Sequence, residues 1–288
     1  MIDVAIIGAG NLGTALGYAL SQKGYRIKAL SCRTLSSVRK SLQIIGEGKA
    51  FTDNLQAAEQ GKLIFICVPD SEIAKVVKEL AGSAISWSEK HIFHCSGLVS
   101  AEVLKPLKAK GALTASFHPV QSFSQKKGGP KQFEGIYFGL EGDEKALELA
   151  EKIASHLGGY SIVIRSKDKA LYHAACSVAS NFFIVLIDVA LSLLKFIGFE
   201  EKQASEIVLP LIQGTLQNIK EFDLESSLTG PVIRGDEESL EKHLDALRKY
   251  PGYLEIYRSL ATQALEIAKR RKLPPEKYKV LKNLLEEE

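Results

Sequence analysis

The feature that most constrains this chain stands at its start. Gly8-Ala9-Gly10-Asn11-Leu12-Gly13 follows the apolar run 4–7 directly and opens a helical pattern reaching about residue 23. Each glycine at this spacing has its own task. Gly8 permits a tight turn, Gly10 lets the backbone come close to a pyrophosphate, and Gly13 lets the helix pack against the strand. The first helical turn, with Asn11 and Leu12, then offers unpaired N–H groups and a partial positive charge to phosphate.

The pattern that follows fits this opening. Apolar runs at 25–30, 63–68 and 92–94, separated by helical segments, predict an α/β fold with a Rossmann-type doubly wound parallel sheet. Runs at 114–117, 136–140 and 160–164 read as added strands, and a helix over 143–157 ends at Gly158-Gly159. Strand signals stop after Arg165, and helices are expected over 168–196, 201–222, 236–248, 252–272 and 275–287. With domains of roughly 100–200 residues, the 288 residues divide into a dinucleotide-binding domain, 1–165, and an all-helical domain, 166–288.

The second strand ends in Leu30-Ser31-Cys32-Arg33-Thr34, where an NAD enzyme places an acid for the ribose 2′-hydroxyl. Ser31, Arg33 and Thr34 supply hydroxyls and a guanidinium instead, which suit a 2′-phosphate and favour NADP over NAD. Val68-Pro69-Asp70 occupies the carboxyl edge of the sheet. It reads either as ligand-facing backbone or as a strand-to-helix turn capped by Asp70 or Ser71. His94-Cys95-Ser96-Gly97 holds the equivalent place after the next strand, which is expected to bring Ser96 near the nicotinamide.

Reduction of C=O or C=N needs a proton source and polar groups that fix the substrate. Lys169, His173, Ser177 and Ser180, spaced by four, four and three with Asn181 beside them, form a polar stripe on an otherwise apolar helix. The alternative is a solvated helix face, which explains Lys169 more readily than Asn181 next to Phe182-Phe183-Ile184. His118 leaves a strand end at the sheet's carboxyl edge, as either a structural or a ligand-contacting imidazole. In the turn Thr229-Gly230-Pro231-Val232-Ile233-Arg234-Gly235-Asp236, Asp236 suits an N-cap, whereas Arg234 suits a substrate carboxylate, a cofactor phosphate or an interface acid. These residues support a small-molecule reductase that binds substrate through Ser177, Arg234 and Asp236, with His173 as proton donor assisted by Lys169, Asn181 orienting the substrate and His118 as the other candidate acid. An NADP-binding sensor without turnover is the alternative.

Composition narrows the partners. A net charge of +3 with no long basic block argues against nucleic acid or membrane surfaces, and Lys126, Lys127 and Lys131 read as a solvated loop. Cys32, Cys67, Cys95 and Cys176 show no ligand or disulfide spacing, so no metal site and a reducing cytoplasm are expected. The start of the chain has no signal-peptide pattern. The apolar stretch 182–197 contains Asp188 and Lys195, is shorter than the roughly 20 residues of a membrane span, and reads as a buried helix. Its apolar circumference implies a homodimer through the helical domain.

Taken together, the glycine turn, Val-Pro-Asp, His-Cys-Ser-Gly, Ser-Phe-His-Pro-Val-Gln-Ser-Phe, the helix 169–181 and Thr-Gly-Pro-Val-Ile-Arg-Gly-Asp resemble a bacterial family. That family pairs a Rossmann-like domain with domain of unknown function 2520, and the likeness covers essentially the whole chain. More distantly the chain is similar to ketopantoate reductase, pyrroline-5-carboxylate reductase and the 6-phosphogluconate dehydrogenase superfamily. The resemblance implies NADP or NAD at the glycine turn and an active site between domains bordered by His118, Lys169, His173, Asn181, Arg234 and Asp236. It also implies dimerisation through the helical domain. The chain departs from the Lys-x-x-His-Asn group of the 6-phosphogluconate enzymes, since Lys169 and His173 stand four apart.

Overall fold

The computed structural model describes residues 2–124 and 130–287, so Lys126 and Lys127 of the basic cluster lie outside the described residues. Two compact units divide the chain, Met1–Phe182 and Phe183–Glu288. The first therefore extends beyond Arg165 to include the helix that carries the candidate catalytic residues.

The first unit is built on eight strands: β1 (Asp3–Ile7), β2 (Arg26–Ser31), β3 (Lys49–Phe51), β4 (Leu63–Ile66), β5 (His91–His94), β6 (Leu113–Pro119), β7 (Tyr137–Gly142) and β8 (Tyr160–Val163). Their order is β3-β2-β1-β4-β5-β6-β7-β8, the first six being the Rossmann sequence 3-2-1-4-5-6. Pairing is parallel except between β6 and β7. Alternation within β1 shows why the sheet is doubly wound. Val4 and Ile6 enter one core cluster while Ala5 and Ile7 enter the other, so both faces need a helical layer.

Those layers come from α1 (Asn11–Gln22), α2 (Leu35–Ile45), α3 (Asn54–Glu59), α4 (Asp70–Ala81), α5 (Lys105–Lys108) and α6 (Glu144–His156). One core face carries Phe65, Phe93, Phe117 and Phe138, one from each of β4 to β7, with successive ring centroids 5.7, 6.1 and 4.8 Å apart. Strand β3, unrecognised in the sequence, is three residues of mixed polarity at the far edge of the parallel sheet, too short to show a period. Helix α7 (Lys169–Ser177) closes the unit and runs into a π-helical turn, Val178–Phe182.

The second unit contains α8 (Phe183–Phe196), α9 (Glu201–Glu221), α10 (Leu224–Ser227), α11 (Pro231–Arg234), α12 (Glu237–Leu247), α13 (Pro251–Arg270) and α14 (Pro275–Glu286). Its core, including Val232, Leu240, Leu265 and Leu281, lies among α11 to α14. The expectation of a buried helix over 182–197 is corrected here: no residue of α8 is buried, and Ile184 is 64% exposed. The apolar residues of α8 exceed what its own unit covers, since α8 packs on α9 and stacks Phe196 on Tyr250. The helix expected over 168–196 forms, and it is longer than the apolar stretch 182–197. Continuous helix runs from Ser166 to Phe196, 31 residues, long and apolar enough by length and composition to cross a membrane.

Candidate active site

The carboxyl ends of β1, β4, β5 and β6 carry the residues singled out in the sequence. Gly8 has φ +115°, and a Cβ there would lie 2.4 Å from the Cys67 carbonyl oxygen. A Cβ on Gly13 would lie 2.0 Å from the Gly8 carbonyl oxygen, so both positions exclude any side chain. At Gly10 a Cβ would meet nothing within 4 Å, so the protein itself leaves open the space above this turn. Gly10 is also the N-cap of α1 and makes no side-chain cap, leaving the first-turn N–H groups for an anion. Asn11 donates from Nδ2 to the Phe123 carbonyl at 2.9 Å, tying the turn to the segment after β6.

Beyond β2 the candidate residues separate. Ser31 is fully buried; its Oγ donates to Asn54 at 2.9 Å and its carbonyl accepts from Gly8 N–H at 2.8 Å. It buttresses the glycine turn rather than offering a hydroxyl to a ligand. Arg33 and Thr34 are exposed at the start of α2. The open glycine turn and the guanidinium beyond β2 fit a dinucleotide bearing a 2′-phosphate. Pro69 is the N-cap of α4, with Asp70 as its first residue. Ser96 is buried, and its Oγ accepts from Leu98 and Val99 N–H at 3.1 and 2.9 Å. Its side chain therefore shapes the loop after β5.

A cavity of about 660 Å³ in the first unit is lined by His118, Gln121, Ser122, Tyr172, His173, Cys176, Ser177, Ser180 and Asn181, among others. The imidazoles of His118 and His173 approach to 6.2 Å between centroids. Gly97 makes that approach possible, because a Cβ there would lie 2.8 Å from His118 Nε2 and equally close to His173 Cδ2. Burial, reinforced by the nearby Lys169 charge and by the neighbouring His173, pushes the His118 pKa down to about 4, so this ring is neutral at neutral pH. Of the residues expected on the helical stripe, His173, Ser177, Ser180 and Asn181 line the cavity. Ser180 and Asn181 both lie on the π-helical turn that ends the stripe.

Lys169 does not line the cavity. It is buried, donating to Ser116 Oγ at 2.7 Å and to the Ser96 carbonyl at 3.4 Å, and it pairs with buried Glu141 at 3.6 Å. Burial pulls the ammonium's pKa down while Glu141 opposes the shift. Burial raises Glu141, but hydrogen bonds from Ser166, the Ala101 N–H and Ser100, with the Lys169 charge, bring it net below the usual carboxylate value. Buried His94, with Nδ1 accepting from Ser96 N–H at 3.2 Å, is held down to about 4 by burial and then by Lys169.

Arg234 and Asp236 belong to the second unit. Asp236 caps α12, accepting from Ser239 N–H at 3.1 Å and Ser239 Oγ at 2.8 Å, and Arg234 pairs with Asp236 at 3.7 Å. Asp236 thus takes the N-cap role read from the turn. Tyr172, which the sequence reading passed over, joins the cavity wall; an aromatic inside an apolar helical run gives no signal that separates it from core.

The family comparisons divide the chain earlier than the two compact units do. A model of a Rossmann-like domain matches residues 1–119, and one of Domain of unknown function (DUF2520) matches 136–264. Protein TM1727 from Thermotoga maritima is 30% identical with a TM-score of 0.71, over 94% of this chain and 100% of its own. A candidate NADP oxidoreductase from Bacteroides fragilis is 27% identical with a TM-score of 0.76, over 91% of this chain and 97% of its own. Among curated relatives, pyrroline-5-carboxylate reductase from Corynebacterium melassecola is 23% identical over 79% of this chain and 83% of its own. Glycerol-3-phosphate dehydrogenase [NAD(P)+] from Macrococcus caseolyticus is 25% identical over 64% of this chain, which spans about half, 52%, of that relative's length.

Two predictions follow from the buried pair and the neutral imidazoles, both read by the fluorescence of the single tryptophan, Trp87, which is buried in the first unit. Lys169→Met leaves Glu141 charged and unpaired and should cost about 3–5 kcal/mol in urea unfolding; adding Glu141→Gln should recover part of the loss. His94 and His118 titrate near 4 when folded and near 6.5 when unfolded, so the unfolded chain binds more protons between those values. Stability of the first unit is therefore full above about pH 6.5 and falls as pH drops towards 4, and His118→Gln should make urea midpoints less sensitive across that range.

Proposed function

Because the chain belongs to the family that joins a Rossmann-like domain to domain of unknown function 2520, we propose that it is an NADP-dependent oxidoreductase acting on a small carbonyl or imine compound. One observation carries the reading: two imidazoles, His118 and His173, share a cavity wall with Asn181 and three serines, beside the carboxyl edge of a dinucleotide-binding sheet. Gly8, Gly10 and Gly13 with the N-terminus of α1 hold the pyrophosphate, and exposed Arg33 with Thr34 holds the 2′-phosphate. When bound, the reduced cofactor supplies hydride. His173 supplies the proton to the substrate oxygen or nitrogen, since a neutral His118 is a poor acid, and Asn181 and Ser177 orient the substrate. Lys169 acts from beneath, holding the loop after β5 at Ser96 and the middle of β6 at Ser116 against α7.

Titration of the purified protein with NADPH and NADH, followed by nicotinamide fluorescence, tests the cofactor. NADPH should bind in preference to NADH, and Arg33→Ala should weaken NADPH about tenfold or more while leaving NADH unchanged. Binding of neither nucleotide overturns the reading.

The exposed apolar residues of the second unit support a homodimer. Ile184, Ile197, Leu211 and Phe222 are each at least 60% exposed on or beside α8 and α9, more apolar surface than a monomer in water ordinarily leaves bare. Light scattering at micromolar concentration should give twice the 31.5 kDa chain mass, and Ile184→Glu should shift it to monomer. A wild-type monomer, or co-sedimentation with lipid vesicles, counts against the dimer.

A further inference from the structure

The cavity contains a tyrosine–histidine pair whose geometry goes beyond the roles given above. Tyr172 Oη lies 2.8 Å from His118 Nδ1, and the two rings meet edge to face at 88°. Space for the hydroxyl is made by a missing side chain. Gly139 stands directly opposite His118 across the antiparallel β6–β7 pair, and a Cβ there would lie 2.4 Å from Tyr172 Oη. On the other side of the imidazole, Gly97 leaves room for Nε2. The ring is thus held between a glycine on the neighbouring strand, which admits its partner, and a glycine in the β5 loop, which admits its free nitrogen.

We propose that Tyr172 is a positioning residue: its hydroxyl donates to His118 Nδ1, which leaves the ring proton on Nε2, where it serves the cavity as a hydrogen-bond donor to the substrate's carbonyl oxygen or imine nitrogen. The direction of the bond follows from donor and acceptor strengths. Burial raises the phenol's pKa, so Tyr172 keeps its proton, while Nδ1 of a neutral imidazole is a much stronger acceptor than the other nearby atom, the Cys176 sulfur. A neutral N–H aimed at a developing negative charge stabilises it without giving up its proton. His118 and His173 then divide the work, one polarising the acceptor atom and the other supplying the proton. The catalytic consequence rests on the reductase reading; the tautomer does not.

Two-bond ¹H–¹⁵N spectra of histidine-labelled protein, with the His118 signals assigned by their loss in His118→Gln, report the tautomer without any substrate. The wild type should show a protonated Nε2 and a bare Nδ1. Tyr172→Phe, which keeps the ring and loses the hydroxyl, should move His118 to a mixture of tautomers, and Gly139→Ala should do the same by displacing the hydroxyl while the phenol remains. Once a substrate is found, both variants should lower kcat by about 10²-fold with KM and NADPH affinity little changed. A wild-type ring protonated on Nδ1, or a tautomer unaltered in both variants, overturns the proposal. Intact NMR behaviour with no turnover on any carbonyl or imine instead counts against the reductase reading alone.

Discussion

The buried ion pair between Lys169 and Glu141 is the contact on which the first unit's architecture turns. Through Lys169 it reaches the Ser96 carbonyl and Ser116 Oγ, and through Glu141 it reaches Ser100, the Ala101 N–H and Ser166. One pair therefore ties the loop after β5, strands β6 and β7 and the start of α7 to a single point. Two charges taken out of water repay their desolvation only when their remaining donors and acceptors are satisfied, and here five polar groups do so. The site's geometry is a by-product of that satisfaction, because His118 is two residues from Ser116 and Tyr172 and His173 are less than a turn and a turn beyond Lys169.

The same pair explains an electrostatic asymmetry. A cation buried near the carboxyl ends of β5 and β6 discourages protonation of imidazoles around it, and His94 and His118 are both kept neutral, first by burial and then by Lys169. His94 spends its neutrality on the backbone, accepting from Ser96 N–H. His118 sits on the cavity wall with its second nitrogen free of any partner within the sheet. Position along the strand edge, more than residue type, separates the imidazole taken up by the backbone from the one on the cavity wall.

Much of this was legible in the sequence, and where it was not the reasons are physical. The glycine turn, the parallel strands and the stripe His173-Ser177-Ser180-Asn181 follow from local spacing, which a regular backbone preserves. Lys169 shares that spacing yet turns away from the stripe. Its long stem follows the charge of Glu141, a residue 28 positions earlier that no helical period connects to it. Tyr172 could be recognised only once β6 and β7 were paired, since the vacancy it fills belongs to Gly139. Ser31 is an equally tertiary matter, its hydroxyl being taken by Asn54. The bareness of α8 reflects a different limit, because hydrophobicity demands a cover but does not say from which molecule it comes.

The two-faced core of β1 has a consequence for how this scaffold can change. Val4 and Ile6 serve one cluster and Ala5 and Ile7 the other, while Gly8 begins immediately after the last of them. Deleting or inserting one residue in this strand would exchange the two faces and move the turn by about 3.3 Å along the strand axis. Packing register and nucleotide register are thus one quantity here. Drift in this segment is confined to substitutions that conserve length, and the segment after β6, which holds Asn11 through the Phe123 carbonyl, shares that constraint.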